Sequence, residues 1–322
     1  MVLGIGNALV DILFEIPNDD ILLDLQLPKG SMQLVSQKQN KTILDGIKAY
    51  DKKVVSGGSA SNTIRGIALL GGRAAYVGMI GNDELGIHFE KDMKNSNVET
   101  NLFRSEHPTG NASTFISKNG ERTFATYLGA AIELSPKHIS SDIFSGKDIV
   151  HIEGYLVQNH ELVEKIVTEA KSKGLKISLD LASYNVVEDN KDFLQRIVTD
   201  YVDILFANEE EAKAFTGEEP EAALEILSNL CEYAIVKVGK EGSMIKHGQE
   251  RVNIGIISGE VIDTTGAGDL YAAGFLCGLS NKYSLEKCGN IAKILAGNVV
   301  QVIGAQIHEN QWNDIKKQIP LL

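Results

Sequence analysis

Short, largely apolar runs recur along the chain, and segments with helical spacing lie between several of them. The runs cover residues 2–6, 75–80, 148–153, 176–180, 203–207 and 233–238. Continuously apolar runs, as opposed to alternating ones, are typical of parallel strands covered on both faces. Residues 161–173 and 220–230 have the helical pattern. We therefore predict an α/β fold, with a doubly wound and mostly parallel sheet in a three-layer α/β/α sandwich.

Two regions depart from this rhythm. Residues 112–117 and 122–127 flank Asn119-Gly120, and Asn-Gly between two alternating segments is a strong signal for a β-hairpin. The second region, residues 11–34, contains short strand-like pieces interrupted by two prolines and a glycine.

We predict that these two regions pair as a small β lid beside a large α/β domain. The lid would comprise residues 11–34 and 106–128, and the large domain residues 1–10, 35–105 and 129–322. The alternative is a surface hairpin that has no role as a lid.

The composition narrows the classes of function. The chain has 322 residues, is 43% hydrophobic, and carries a formal net charge of −12. Such an acidic protein is unsuited to hold a phosphate backbone over a wide surface, which disfavours a nucleic-acid scaffold. No apolar run reaches the ~18 residues that a membrane span needs, and the apolar N-terminus lacks a basic leader. Three widely spaced cysteines do not form a disulfide framework. We expect a cytoplasmic protein without a nucleic-acid or membrane partner.

The most informative motif is DTTGAGD at residues 263–269. The apolar positions after it have the spacing of a helix: Leu270, Ala273, Gly274 and Cys277. The helix should begin at or near Asp269, which places the preceding Gly-Ala-Gly at an N-terminus that favours anions. A carboxylate repels phosphate, so Asp269 suits a base that accepts a hydroxyl proton while the amides hold the phosphoryl group. The alternative is a helix-start residue that the dipole favours, without chemistry.

A second glycine-rich motif, GGSASNT, occupies residues 57–63. It has the pattern of a loop that enters a helix, with Ser59 as a candidate N-cap. Asn62 lies one turn into that helix and could hydrogen-bond to a sugar hydroxyl. A capped structural helix is the alternative.

The third motif, GIGNALVD at residues 4–11, follows the first strand. A dinucleotide fingerprint needs Gly or Ala where Leu9 stands, and Asp11 comes too early to be its ribose-binding acid. A carboxylate at Asp11 can instead accept two hydrogen bonds from neighbouring sugar hydroxyls. The chain contains neither GxxxxGK[ST] nor HExxH, so a P-loop enzyme is excluded and a zinc hydrolase is unsupported.

Together these motifs resemble those of the ribokinase/PfkB family of sugar and nucleoside kinases, and the resemblance covers essentially the whole chain. DTTGAGD is highly specific to that family, and GGSASNT supports it. Residues 6–12, 120–123 and 127–130 are most similar to adenosine-kinase-type bacterial members. The resemblance implies a three-layer α/β/α sandwich with a β lid, which agrees with the pattern above.

The resemblance also implies roles for individual residues. The catalytic group would be the base Asp269 with an anion hole formed by Gly266, Ala267 and Gly268. The residues that bind the acceptor's sugar would be Asn7, Asp11, Gly58 and Asn62. The residues near ATP would be Asn208, Glu211, Lys237, Gly239, Gly242, Thr265 and Asn298.

Metal ions enter through the same resemblance. Asn208 and Glu211 match an NxxE motif that serves magnesium-bound phosphates. Asp263, Thr265 and Gly304 lie in segments that build a K⁺ site in many members, with Asp263 as the candidate ligand.

The expected protein is an ATP- and Mg²⁺-dependent kinase that phosphorylates a primary hydroxyl of a small molecule. Its acceptor would be a ribosyl nucleoside, adenosine first, or alternatively a free sugar such as fructose or ribose. Two other classes stay open: a dinucleotide-dependent oxidoreductase and a catalytically inactive binding protein on a kinase fold. The chain would be a monomer, or a homodimer that pairs through the lid.

Overall fold

The computed structural model describes residues 1–118 and 121–319 and contains strands and helices along its whole length. The strands among these residues are β1 (Val2–Ile5), β2 (Leu9–Glu15), β3 (Met32–Leu34), β4 (Lys53–Gly57), β5 (Ala74–Gly81), β6 (Glu99–Ser105), β7 (Gly110–Ile116), β8 (Arg122–Tyr127), β9 (Ile149–Glu153), β10 (Lys176–Asp180), β11 (Ile204–Asn208), β12 (Tyr233–Lys237), β13 (Ser243–His247) and β14 (Glu250–Ile254). The α-helices are α1 (Asp20–Asp24), α2 (Gln37–Gly46), α3 (Ser59–Leu69), α4 (Glu84–Asn95), α5 (His160–Ser172), α6 (Tyr184–Asp189), α7 (Lys191–Tyr201), α8 (Glu209–Thr216), α9 (Pro220–Leu227), α10 (Ala267–Ser280), α11 (Leu285–Val299) and α12 (Glu309–Gln318).

Nine strands form the large sheet, in the order β14-β13-β12-β11-β10-β9-β1-β5-β6. All neighbours from β12 to β6 are parallel, and β13 and β14 add antiparallel strands at one edge. The six strands predicted from apolar runs all lie in the parallel part, as β1, β5, β9, β10, β11 and β12. Their carboxyl ends therefore meet at one edge of the sheet.

The apolar runs follow from burial on both faces of this sheet. In β11, Ile204 and Phe206 belong to a core shared with α10 and α11, while Leu205 and Ala207 belong to a core shared with α5 and α7. Because successive side chains point to opposite faces, a strand covered on both sides needs an apolar residue at every position. The three-layer α/β/α prediction is confirmed.

Helix α10 is buried nearly all round, with every residue from Leu270 to Gly278 buried. It packs between α3 and α11, which explains why its sequence lacks a polar face. Among the described residues, no helix is both long and apolar enough to cross a membrane.

A second sheet contains five strands in the order β3-β8-β7-β2-β4. The predicted hairpin is present, since β7 and β8 pair antiparallel, although Asn119-Gly120 lies outside the described residues. One prediction for residues 11–34 was wrong: residues 20–24 form the helix α1, because a single turn buries Leu22.

The sheet also takes in β4, which the predicted boundaries had left in the large domain. Strand β4 pairs antiparallel with β2. Its sequence, KVVSG, lacks the alternation that would have identified a strand. The role of this sheet as a lid stays a prediction.

Candidate active site

Asp269 lies in the first turn of α10, at the carboxyl edge of the large sheet. The helix begins at Ala267, two residues earlier than predicted, and its N-cap Gly266 has φ +77. Glycine is needed there because a Cβ would lie 2.6 Å from the Ala305 Cβ. The anion turn, Gly266-Ala267-Gly268, thus has first-turn amides that lack intrahelical acceptors. Ala267 N donates to Thr264 O at 3.1 Å, so an anion bound here would share that donor.

The carboxylate of Asp269 is fixed by two side chains from α3. Ser59 Oγ donates to Oδ1 at 2.7 Å, and Asn62 Nδ2 donates to Oδ2 at 2.9 Å. Burial raises the pKa of Asp269 to about 6, although both hydrogen bonds act in the opposite direction. A carboxylate with this pKa is largely ionised at neutral pH yet basic enough to accept a proton.

Two details of α3 differ from the sequence prediction or add to it. The predicted N-cap Ser59 is wrong: Gly58 is the cap residue, and the Ser59 hydroxyl donates to Asp269. Asn62 is 7% exposed, and within the described residues its Oδ1 has no hydrogen-bond partner. A buried acceptor beside a base is suited to a hydroxyl group of a bound molecule.

The structure brings the four predicted sugar-binding residues together around the two sheets' junction. Gly58 has φ +92, and a Cβ on it would clash with Asn7 O. A Cβ on Gly57 would lie 2.5 Å from the Asp11 carboxyl group, so that carboxylate sits directly against the glycine loop. Burial raises the pKa of Asp11 to about 7, helped by the negative charges of Asp269 and Asp263.

Polar side chains, three of them charged, end four neighbouring strands of the large sheet on the face that packs against α3 and α10. They are Glu153, Asp180, Asn208 and Lys237. Lys237 Nζ donates to Asp180 Oδ2 at 3.0 Å, and a Cβ on Gly268 would lie 3.1 Å from this ammonium group. Lys237 therefore lies against the anion turn. Burial lowers the pKa of Lys237, but the carboxylates of Asp180 and Glu211 outweigh it and raise the pKa overall.

Glu153 and Asp180 were missed by the sequence analysis. Both are the last residues of strands that it had predicted, and the ends of parallel strands meet at one edge. That signal was available and would have placed both carboxylates near Asp269.

Asn208 and Glu211 form a capping box at the start of α8. Asn208 N and Nδ2 each donate to a Glu211 oxygen at 2.8 Å, and Glu211 N donates back to Asn208 Oδ1. Glu211 is 3% exposed. Burial raises its pKa to about 7, against the effect of Lys237 and with that of Asp180. The NxxE motif is therefore a helix cap as well as a pair of acidic and amide groups beside Lys237.

Arg122 links the smaller sheet to the loop before the anion turn. It forms a buried ion pair with Asp263 and donates to Thr265 Oγ1 at 3.3 Å. Asp263 also accepts Thr265 N at 2.8 Å and Gly304 N at 2.6 Å. Burial raises the pKa of Asp263, but these hydrogen bonds outweigh it and lower the pKa below its ordinary value. The role of Asp263 as a monovalent-cation ligand stays a prediction.

The remaining predicted nucleotide residues lie on two elements. Gly239 begins a 3₁₀ turn after β12, and Gly242 closes it with φ +94 where a Cβ would clash with Ile254 O. Asn298 lies on α11 and donates to Ile294 O at 2.8 Å, within its own helix. The role of Asn298 near adenine stays a prediction.

The known proteins to which this chain is similar include sugar kinases and nucleoside kinases. A sequence model described as pfkB family carbohydrate kinase matches residues 36–312. A probable sugar kinase from Rhizobium etli has a TM-score of 0.88 and 34% identity, covering 100% of this chain and 98% of that one. An adenosine kinase from Sinorhizobium meliloti has a TM-score of 0.87 and 34% identity, covering 98% of each chain. A nucleoside kinase from Methanocaldococcus jannaschii is 30% identical over 272 residues, 82% of this chain and 85% of that protein.

Proposed function

The chain belongs to the pfkB family of carbohydrate kinases, and we propose that it transfers the γ-phosphoryl group of ATP to a primary hydroxyl of a ribosyl nucleoside. As a member of this family it is a phosphotransferase with an alcohol acceptor. The observation that carries the proposal is the Asp269 carboxylate, held by Ser59 and Asn62 in the first turn of α10.

In the proposed reaction Asp269 is the general base. The acceptor hydroxyl gives its proton to the Asp269 carboxylate while its oxygen forms the new bond to phosphorus, and ADP leaves. The amides of the anion turn and the Lys237 ammonium group lie on the side where phosphoryl oxygens would gather negative charge. Asn62 Oδ1 is free to accept a hydrogen bond from a second hydroxyl of the same acceptor.

The side chains fit Mg²⁺ as an ion that arrives with the nucleotide. Within residues 1–118 and 121–319, no group of three or more acidic, His or Cys side chains could hold a metal ion. Mg²⁺ usually binds through one or two carboxylates together with phosphate oxygens and water. Glu211 would hold the ion through water. The negative charge of Asp180 lies close enough to raise the pKa of Glu211. When bound, the ion offsets phosphate charge.

The electrostatics of the site favour an uncharged acceptor. Asp269 and Asp263 both raise the pKa of Asp11, because their negative charges repel its carboxylate. A sugar phosphate would add further negative charge beside them. A nucleoside or a free sugar would not.

An exposed apolar surface favours a nucleoside over a free sugar. Met32 pairs with Phe124, Phe124 with Thr114, and Thr114 with Leu13, so all four lie on one face of the smaller sheet. Asp11, two residues before Leu13, is on the same face. Met32 and Leu34 are 60% and 62% exposed there. A nucleobase would cover this apolar surface, while a free sugar would leave it in water.

The experiment is an ATP-consumption screen with Mg²⁺ over adenosine, inosine, ribose, fructose and fructose 6-phosphate. We expect the highest kcat/KM for a nucleoside, with adenosine first, and the lowest for the sugar phosphate. A clear preference for fructose or ribose would reject the nucleoside and support a free-sugar kinase. That second candidate is favoured by the likeness to the probable sugar kinase of Rhizobium etli.

A further inference from the structure

Glu153 is a fully buried carboxylate that the proposed reaction does not use. It is the last residue of β9 and is 1% exposed. Burial raises its pKa to about 7, although three hydrogen bonds oppose the shift. A carboxylate kept in such a place needs a structural or functional reason, because burying it is unfavourable.

The two oxygens of Glu153 accept hydrogen bonds from two separate segments. Oε1 accepts Asn7 N at 2.9 Å and Asn7 Nδ2 at 2.6 Å. Oε2 accepts Ala60 N at 3.0 Å. Gly6 packs so closely against this carboxylate that a Cβ on it would clash with Oε2.

Both segments are places where the chain crosses between the two sheets. It passes from β1 to β2 through residues 6–8 and returns from β4 to α3 through Gly58. The Glu153 side chain, at the end of a strand of the large sheet, therefore accepts hydrogen bonds from both crossings. Gly58 has no side chain to cap α3, and Glu153 Oε2 instead accepts the Ala60 amide in the first turn of that helix.

The second crossing leads directly to the base. Ser59 and Asn62 flank Ala60 in the first turn of α3, and these two residues donate to the Asp269 oxygens. The first crossing leads into β2 and to Asp11. A shift of either crossing would thus move groups that orient the base or bind the acceptor.

We propose that Glu153 is a positioning residue. It fixes both crossings, so that Ser59, Asn62 and Asp11 keep their positions relative to Asp269. The inference rests on the proposed function, because it assumes that Asp269 is the base. Glu153 itself touches neither the acceptor nor the phosphoryl group in this role.

The test is Glu153→Gln, which keeps the shape but replaces one acceptor oxygen by an amide group. Glutamine cannot accept from both Asn7 and Ala60, so one crossing is released. Because small misplacements of reacting groups have large effects on rate, kcat/KM for the acceptor should fall by roughly 10–100-fold. The KM for ATP should stay within about twofold, since no ATP residue is attached to these crossings.

Asp203→Asn is the matched control. Asp203 precedes β11 at the opposite edge of the same sheet, where its carboxylate accepts Ile177 N at 2.6 Å and pairs with Lys171. This variant makes the same chemical change far from the site. It should alter the melting temperature and leave both KM values and kcat unchanged.

The outcomes separate the two hypotheses when Asp269→Asn is measured alongside. If Asp269→Asn is inactive and Glu153→Gln differs from wild type only in melting temperature, the positioning role is overturned and the proposed function stands. If Asp269→Asn keeps wild-type turnover, the proposed function fails and takes this inference with it. A loss in Glu153→Gln that is less than additive with Ser59→Ala supports the inference.

A second variant decides the matter if Glu153→Gln does not fold. Tyr76 Oη donates to Gly6 O at 2.9 Å, so Tyr76→Phe loosens the first crossing without touching Glu153. A raised KM for the acceptor with an unchanged KM for ATP supports the positioning role. Unchanged values of both overturn it.

Discussion

Replacing Asp269 by asparagine removes the proposed base with almost no change of volume. Asparagine can keep one of the two hydrogen bonds from Ser59 and Asn62, and it is tolerated at a helix start. ATP and acceptor should therefore still bind. Because a positioned general base contributes roughly 10²–10⁴-fold, kcat should fall by that factor while both KM values change little.

The pKa of Asp269 predicts whether the same variant is more or less stable than wild type. Burial raises the pKa of Asp269 from 3.8 to about 6. Above pH 6 the ionised carboxylate destabilises the fold by roughly 3 kcal/mol, and below about pH 4 this cost is absent. Asparagine carries no charge, so the variant should be at least as stable as wild type at pH 8, with the advantage disappearing near pH 4. The lost hydrogen bond offsets part of the gain.

The assay is steady-state kinetics for ATP and acceptor, combined with melting temperatures at pH 4 and pH 8. A folded variant that turns over within a few-fold of wild type would refute Asp269 as the base. A variant that is strongly destabilised at pH 8 would show that the carboxylate serves the structure of the α3–α10 junction. The first result contradicts the mechanism, and the second contradicts the stability predicted from the pKa.

Three further predictions concern the pH dependence of Asp269 and two other groups of the site. First, kcat/KM for the acceptor should fall as the pH drops from 7 to 5, because Asp269, with a pKa of about 6, then carries its own proton; a flat profile over this range would contradict the base. Second, Asp11→Ala, measured at pH 8 where Asp11 with its pKa of about 7 is ionised, should raise the acceptor KM by roughly 10–100-fold through the loss of charge-assisted hydrogen bonds and leave the ATP KM unchanged; an unaltered acceptor KM would make Asp11 structural. Third, Arg122→Ala should lower the free energy of unfolding, measured by urea titration, by about 3 kcal/mol, since it leaves the buried Asp263 without its cation. Adding Asp263→Asn to the same chain should restore part of the loss. An unchanged free energy of unfolding in the single variant would show that the ion pair does not contribute to stability.

The fold was predictable where burial alone dictates the residue type. Strands β9 to β12 lie between two helical layers, so their continuous apolar runs indicate strands that are buried on both faces. The start of α10 was placed to within two residues, because its apolar spacing and the preceding glycines agree. Strand β4 was not predictable in this way, since its partner β2 is more than thirty residues away along the chain and its own pattern is weak.

The site was predictable where a motif carries several groups at once. Asp269 and Asn62 come from such motifs, and the structure joins them by a hydrogen bond. Glu153 and Lys237's partner Asp180 are single charged residues that end apolar strands, and their meaning depends on which strands are neighbours. Ser59 shows the same limit: its local sequence favours an N-cap, but its hydroxyl donates a hydrogen bond to a carboxylate of α10 that is distant in sequence.

The most direct measurement of the central claim is the identity of the products. Purified protein is incubated with ATP, Mg²⁺ and adenosine, and the products are determined by mass spectrometry and phosphorus NMR, with Asp269→Asn as control. The account predicts equal amounts of ADP and of a nucleoside phosphorylated at its primary hydroxyl, with almost none in the control. ADP formed without a phosphorylated acceptor, or no ADP with any nucleoside or sugar, would contradict it.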